Sequence, residues 1–325
     1  MKYNFVFYGA TNTFLKNTFQ EADSLDNATV RGDFLDSQNK LLQMLFKAHT
    51  YPQFNHFFQL PGKGIWLHKC FNFEFKYDNP ICFIFEAKYF NQDFFFDYLK
   101  QKFPNCKLVI TFRDLYLSKK RIFKDLDISN LRRKFDLIMS YDKNDCKKFN
   151  MVYFNLEASR NMNIHLAKDY PWYDVIFIGR VKGRLDKIIR SYDILNGANL
   201  KCYFYVVGET NIRKHGDIIF SSKIMPYEQM LEKTINSRCV LELSQAGEYG
   251  FTSRSQEAIM YNKKLITDSS IVKEQRFYPS KDIMFITDVE EIDPNFVKDK
   301  STVDYGYNGE YSPVRLLELI EKSLG

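Results

Sequence analysis

Residues 173–184 read YDVIFIGRVKGR: a strand-like run, Tyr173 to Ile178, passes directly into Gly179-Arg180, and the helical pattern of Leu185 to Leu195 follows. An apolar run that ends in glycine and hands over to a helix opens a βαβ unit, because parallel strands need a crossover between them. The rhythm continues. Leu200 to Val207 (LKCYFYVV) is a strand closed by Gly208, and Pro226 to Ile235 is a helix with proline in its first turn. Cys239 to Leu243 (CVLEL) is a strand, Ser253 to Tyr261 a helix, and Lys264 to Thr267 and Ile283 to Ile286 are strands. Pro313 to Leu324 is a closing amphipathic helix.

The same alternation runs through the first half. Tyr3 to Tyr8, Pro80 to Glu86 (PICFIFE), Lys107 to Phe112 (KLVITF), Asp136 to Ser140 and Met151 to Asn155 read as strands. Thr13 to Ala22, Asp36 to Lys47, Asn91 to Phe103, Ile128 to Phe135 and Asp142 to Phe149 read as helices. The rhythm lapses only in the polar stretch from Glu157 to Tyr170, just before Pro171. The expected fold class is therefore α/β, with two Rossmann-like doubly wound domains over residues 1–165 and 166–325, the last helix packing back on the first. Ligands of such sheets sit at the carboxyl ends of the strands, so a central cleft faced by both domains is the default site.

Composition narrows the function classes. A length of 325 residues suits about two domains. The net charge of +6 fits attraction to a pyrophosphate or to an anionic membrane face. It falls short of the clustered basicity of a nucleic-acid binder, so no nucleic-acid partner is expected. Phe83 to Tyr98 is rich in rings that serve either core packing or a membrane contact. The cysteines Cys70, Cys82, Cys106, Cys146, Cys202 and Cys239 are scattered and read as free thiols of a reducing compartment. The histidines His49, His56, His68, His165 and His215 show no ligand spacing, and Asp125-Leu126-Asp127 opens a helix rather than ending a strand, so no metal is expected. The opening strand does not read as a signal peptide, and no apolar run approaches the ~20 residues of a membrane span. The expectation is a cytoplasmic protein with peripheral contact at the inner face of the membrane.

Three turns carry candidate chemistry. Gly179-Arg180-Val181-Lys182-Gly183-Arg184 lies between a strand and a helix. Glycine lets backbone approach a phosphate, the helix N-terminus adds partial positive charge, and Arg180, Lys182 and Arg184 can neutralise a diphosphate. A solvated basic loop would use the same residues. The second turn is Gln245-Ala246-Gly247-Glu248-Tyr249-Gly250-Phe251-Thr252-Ser253-Arg254-Ser255-Gln256-Glu257. Thr252 or Ser253 caps the helix. Arg254 opposes the helix dipole in its first turn, which suggests an anionic ligand, and Glu257 one turn later can reach hydroxyls of a ribose or sugar. A cap with a surface Arg and Glu is the plainer reading. The third is Gly208-Glu209-Thr210 at a strand's carboxyl end. In the first domain, Gly9-Ala10-Thr11-Asn12 follows the opening strand. Glu86 and Asp114 stand at strand ends as candidate bases or as structural ion pairs, and Asp33 and His68 come after them.

These residues resemble a family. YDVIFIGRVKGR, RCVLELSQAGEYGFTSRSQEAI and KKLITDSSIVKEQRFYPSKDIMFI are similar, in order and strand type, to bacterial GT-B glycosyltransferases of capsule, O-antigen and lipopolysaccharide biosynthesis. KFDLIMSYDKNDCKKFNMVYFNL resembles the last strands of that family's first domain, and the resemblance covers roughly residues 107–290. It implies a hexosyltransferase-like enzyme with the GT-B architecture, moving a sugar from a nucleotide-sugar donor to a glycan or lipid-linked oligosaccharide acceptor, without cofactor or metal. It implies that Gly179, Arg180, Lys182 and Arg184 lie against the donor diphosphate, with Gly208 nearby and Gly250, Phe251, Thr252, Ser253 and Arg254 completing the cradle. Glu257 would bind the ribose, with Gln245 and Glu248 near the transferred sugar. Glu86, Asp114 and Glu248 are the catalytic candidates. Glu248 and Glu257 stand one residue further apart than the family's glutamate pair, so the resemblance assigns no stereochemistry. Two rival readings are a nucleotide-sugar epimerase on the same fold and a non-catalytic subunit of a glycan-assembly complex.

Overall fold

The computed structural model describes residues 1–9, 13–33, 39–50, 60–161, 164–208 and 211–325. The chain divides into two compact units. One comprises Met1–Ser159 with Tyr311–Gly325, the other Arg160–Glu310. The division falls after Ser159, upstream of the expected 165/166, and the closing residues belong to the first unit.

The first unit holds a six-stranded parallel sheet of β1 (Asn4–Tyr8), β2 (Ala28–Arg31), β3 (Ile81–Glu86), β4 (Lys107–Phe112), β5 (Leu137–Ser140) and β6 (Val152–Tyr153), in the order β2-β1-β3-β4-β5-β6. Helices cover both faces, which is why β3 and β4 are nearly continuous apolar runs. Side chains alternate between two cores. Val6, Tyr8, Phe83, Phe85, Leu108 and Ile110 point into one. Phe5, Phe7, Cys82, Ile84, Val109 and Met139 point into the other, where the helix Pro313–Leu324 adds Leu316, Leu317 and Ile320. The rings of Phe83, Phe85, Tyr89, Phe90, Phe95 and Phe96 are buried and pack the core, while Phe94 and Tyr98 are partly buried against it.

The second unit repeats the plan with β7 (Tyr173–Arg180), β8 (Cys202–Val207), β9 (Ile219–Ser221), β10 (Ser237–Glu242), β11 (Lys264–Thr267) and β12 (Ile283–Phe285), all parallel, in the order β12-β11-β10-β7-β8-β9. Val175, Phe177, Phe204, Val206, Cys239 and Ile266 pack one face against Ile188, Tyr192 and Leu195 of the helix Leu185–Gly197. The expected two-domain doubly wound fold is present.

Some local expectations change. The run Thr13 to Ala22 is two helices, Thr13–Thr18 and Gln20–Asp23, parted where Phe19 turns in to stack on Phe7 at 4.2 Å. The helix expected from Asp36 is described only as Lys40–Thr50, and its start at Asp36 lies outside the described residues, as does His56. The edge strands β2 and β9 and the helices Gly64–Cys70, Tyr116–Ile122 and Pro294–Lys298 have no counterpart in the sequence reading. All are short, and short elements carry little periodicity.

Candidate functional site

In the second sheet the strand order reverses between β7 and β10, and the turns that follow these two strands are the ones singled out by sequence. A doubly wound sheet opens its ligand crevice at the carboxyl ends beside such a switch point. After β7 the chain turns through Lys182 at φ 39° and Gly183 at φ 75°, closed by the Arg184 amide donating to the Val181 carbonyl at 2.9 Å. Arg180 and Lys182 are exposed at this end and make no ion pair among the described residues. Arg184 is spent differently. Its guanidinium folds back over Phe177, 5.7 Å from the ring centroid, and donates to the carbonyl of Leu243 at the end of β10. Gly179 allows this, since a Cβ there would lie 3.1 Å from the Phe177 ring and 3.3 Å from Nη2 of Arg184. Arg184 thus ties the two turns together. Burial pulls its pKa down, while Glu242, Glu248 and Asp268 oppose that shift.

Gly208 closes β8 at φ 131°, beside Val181, and donates its amide to Ser221 at 3.0 Å. Glu209 and Thr210, like Ala10, Thr11 and Asn12 of the first unit, lie outside the described residues. After β10, Gln245 to Glu248 form a tight turn with Gly247 at φ 80°, and the Gln245 amide donates to the Glu248 carboxylate at 3.3 Å. Gly250 and Phe251 are buried behind it. Thr252 caps the helix Ser253–Met260, its hydroxyl accepting from the Ser255 amide at 3.4 Å.

Arg254 and Glu257 have an arrangement the sequence left open. They pair with each other, Nη1 to Oε2 at 2.5 Å and Nη2 donating to Oε1 at 2.8 Å, with Glu257 1% and Arg254 20% exposed. The carboxylate that compensates Arg254 against the helix dipole is therefore its own neighbour, and the cation does not require a ligand to explain it. Burial raises the Glu257 pKa, and Arg254 and a hydrogen bond from Tyr227 counter that rise.

Sequence reasoning missed Glu242 and Asp268. Glu242, the last residue of β10, is 4% exposed, and its carboxylate accepts from Thr252 at 3.2 Å and from Thr267 of β11 at 2.5 Å. Burial, with Glu248 and Asp268 nearby, pushes it up to about 7. Asp268 accepts from the Ser244 amide at 2.6 Å and pairs with Lys187 at 2.9 Å. A buried, shifted acid at the switch point is a candidate for a role in the cleft, and a structural carboxylate held by two threonines would show the same shift. The available signal was the glutamate that ends an otherwise apolar strand in CVLEL. Its folded pKa exceeds the ordinary 4.5, so the folded state holds an extra proton between pH 4.5 and about 7, and stability falls as pH rises through that window. In urea titrations, Glu242→Gln is expected to remove a decline on the order of 1–3 kcal/mol between these limits. An unchanged pH profile would refute the assignment.

The first unit carries its own cluster where its strand order reverses, between β1 and β3. Gly9 follows β1, and the Lys88 ammonium donates to its carbonyl at 3.3 Å while pairing with Glu86 at 3.5 Å. Tyr89, buried, donates to the Asp33 carboxylate, and burial beside Asp33 raises its pKa. Asp114 is half exposed and pairs with Lys119 at 2.8 Å, while its neighbour Arg113 pairs with the buried Glu157 at 2.5 Å. His68 sits exposed in the last turn of the helix Gly64–Cys70. Glu86 and Asp33 are thus brought together with Lys88 and Tyr89, and Asp114 stands in a separate ion pair. Among the described residues no group of three or more His, Cys, Asp or Glu side chains is placed to hold a metal ion, and no helix is long and apolar enough to cross a membrane.

No protein-family model matches the chain, and no curated protein does. Solved structures do. The chain is similar to an alpha-glucosyltransferase in complex with UDP and a 13-mer DNA containing a central A:G mismatch, at 12% identity and a TM-score of 0.63 over 99% of each chain. A second alpha-glucosyltransferase complex, with UDP and a 13-mer DNA containing an HMU base, matches at 12% identity and a TM-score of 0.59 over 98% of each. A protein of Listeria monocytogenes designated a UDP-N-acetylglucosamine 2-epimerase matches at 10% identity and a TM-score of 0.51, over 99% of this chain and 96% of that one. The shared feature is the GT-B type of fold, with two doubly wound units. The expectation that nucleic acid is excluded does not survive, because chains of this fold are solved with DNA bound. A modest, dispersed charge was too weak a ground for that exclusion.

Proposed function

We propose that the chain is a glycosyltransferase whose nucleotide-sugar donor lies at the carboxyl ends of β7 and β10, without a metal ion. The observation that carries this reading is the meeting, at one switch point, of two exposed cations, Arg180 and Lys182, that make no ion pair among the described residues, with a capped helix N-terminus at Thr252. Preorganised cations and backbone amides stabilise a departing diphosphate as its charge develops, a role often taken by a divalent ion. Gly208, Gln245 and Glu248 belong to the same reading as donor and sugar contacts, and Arg184 supports them by holding the two turns together. Glu86, Asp114 and Glu248 are the candidates for accepting the acceptor hydroxyl's proton.

By resemblance, the acceptor is a surface polysaccharide or lipopolysaccharide precursor, lipid-linked oligosaccharides included. A second acceptor reading, a hydroxyl carried on DNA, is favoured by the likeness to chains solved with UDP and DNA. Calorimetry of the purified chain against nucleoside diphosphates and their sugars, with EDTA present, tests the donor site. One nucleotide is expected to bind, and the double variant Arg180→Ala/Lys182→Ala to weaken it roughly 10–100-fold. Folded protein that binds none of the panel returns the weight to a non-catalytic subunit. Turnover of a nucleotide sugar without any acceptor would favour the epimerase reading.

A further inference from the structure

A cavity of about 630 Å³ lies in the second unit at the end of the sheet opposite the turns described above. Arg238 near the start of β10 and Lys263-Lys264 at the start of β11 line it, with Arg160 and Lys300. Against these five cations the lining offers one carboxylate, Asp299, and Lys264 takes it at 2.9 Å while also donating to the Phe296 carbonyl at 2.8 Å.

Lys263 is left over. The residue is 4% exposed, no carboxylate or carbonyl accepts from its ammonium among the described residues, and the ammonium lies 4.6 Å from the centroid of the Tyr170 ring. Lysine is almost never buried unless paired. Arg238 is part-satisfied: Asp174 stands 3.3 Å from Nε, yet that buried nitrogen has no hydrogen-bond acceptor. The remaining wall is mixed: Ile164, Leu166, Ile235 and Val303 and the rings of Tyr170 and Tyr261 give it an apolar part, beside polar side chains such as His165 and Thr302. A volume of this size is that of a small-molecule pocket, in which a few charged groups orient a largely apolar body.

We infer that this cavity binds a small phosphate ester, its phosphate held between Lys263 and Arg238 and its apolar or ring portion laid against Tyr170 and Ile235. A dianion answers the two incompletely satisfied cations together, which a single carboxylate does not. The site is independent of the donor site, at the other end of the strands. Burial pushes the Lys263 ammonium down to about 8, so this side chain is an unusually nucleophilic lysine until an anion covers it.

The test acetylates the full chain with limiting acetic anhydride at mildly alkaline pH, with and without phenyl phosphate, and maps modified lysines by mass spectrometry. Phenyl phosphate is expected to suppress labelling of Lys263 by about tenfold, and inorganic phosphate to do so less, while Lys182 reports separately on the donor end. Labelling of Lys263 that does not respond to phenyl phosphate overturns the inference, whatever happens at Lys182. By calorimetry, Lys263→Met is expected to bind phenyl phosphate about tenfold more weakly. Undiminished affinity in that variant also overturns it, and if the variant fails to fold, the protection result on the unaltered chain decides.

Discussion

Replacing Arg254 by alanine is expected to destabilise the chain by about 3–5 kcal/mol, more than most single substitutions. The cost comes from what remains behind. Glu257 is fully buried, and Arg254 supplies both guanidinium contacts to its carboxylate. Without Arg254, the acid must ionise in a place with no cation or take up a proton, and either cost falls on the folded state. Chemical denaturation at pH 7 reads the loss, and Arg254→Ala/Glu257→Gln is expected to regain much of it, because the second change removes the stranded charge. If the single variant loses less than about 1 kcal/mol, the pair is a weak surface contact and this account of the second turn is wrong. A consequence for function follows. Arg254→Ala cannot report cleanly on ligand binding, and Arg180 and Lys182 are the better probes.

Gly9→Ala is expected to cost about 3 kcal/mol, the second large effect. Gly9 lies at φ 95°, which an L side chain rarely adopts, and a Cβ there would fall 2.2 Å from the Tyr89 ring. Tyr89 cannot withdraw easily, since it is buried and bonded to Asp33. Gly247 provides the control. Its φ is 80°, yet nothing lies within 4 Å of its Cβ position, so Gly247→Ala pays for backbone strain alone, about 1 kcal/mol. Equal losses in the two variants would mean that the Tyr89 contact contributes nothing.

The parts of this molecule that were legible in the sequence are those whose cause is local. KLVITF and PICFIFE read as buried strands because both sheet faces are covered and no alternation is needed. Gly208 and Thr252 read correctly as a strand-closing glycine and a cap, since φ preference and capping are properties of one or two residues. What could not be read depends on register. Glu242 matters because β11 pairs with β10 so that Thr267 lies beside it, and no spacing in the sequence announces that pairing. Arg254 was read as waiting for a ligand because its helical position was visible, while the burial of Glu257 was not. Lys263 is one of two adjacent lysines at the start of a strand, and only the fold places it at a cavity. The strands ATVR at β2 and IFS at β9 were overlooked because edge strands bury too little to show an apolar run.

The helix Pro313–Leu324 has a bearing on how the protein is made. Residues 1–159 leave the ribosome first, yet the sheet face built from Phe5, Phe7, Val109 and Met139 lacks Leu316, Leu317 and Ile320 until residues 160–310 have also been translated. The second unit is contiguous and can close its core as it emerges. The half synthesised earlier is therefore the half completed later: Phe19 already covers Phe7, but the part of that face filled by Leu316, Leu317 and Ile320 waits for the end of the chain.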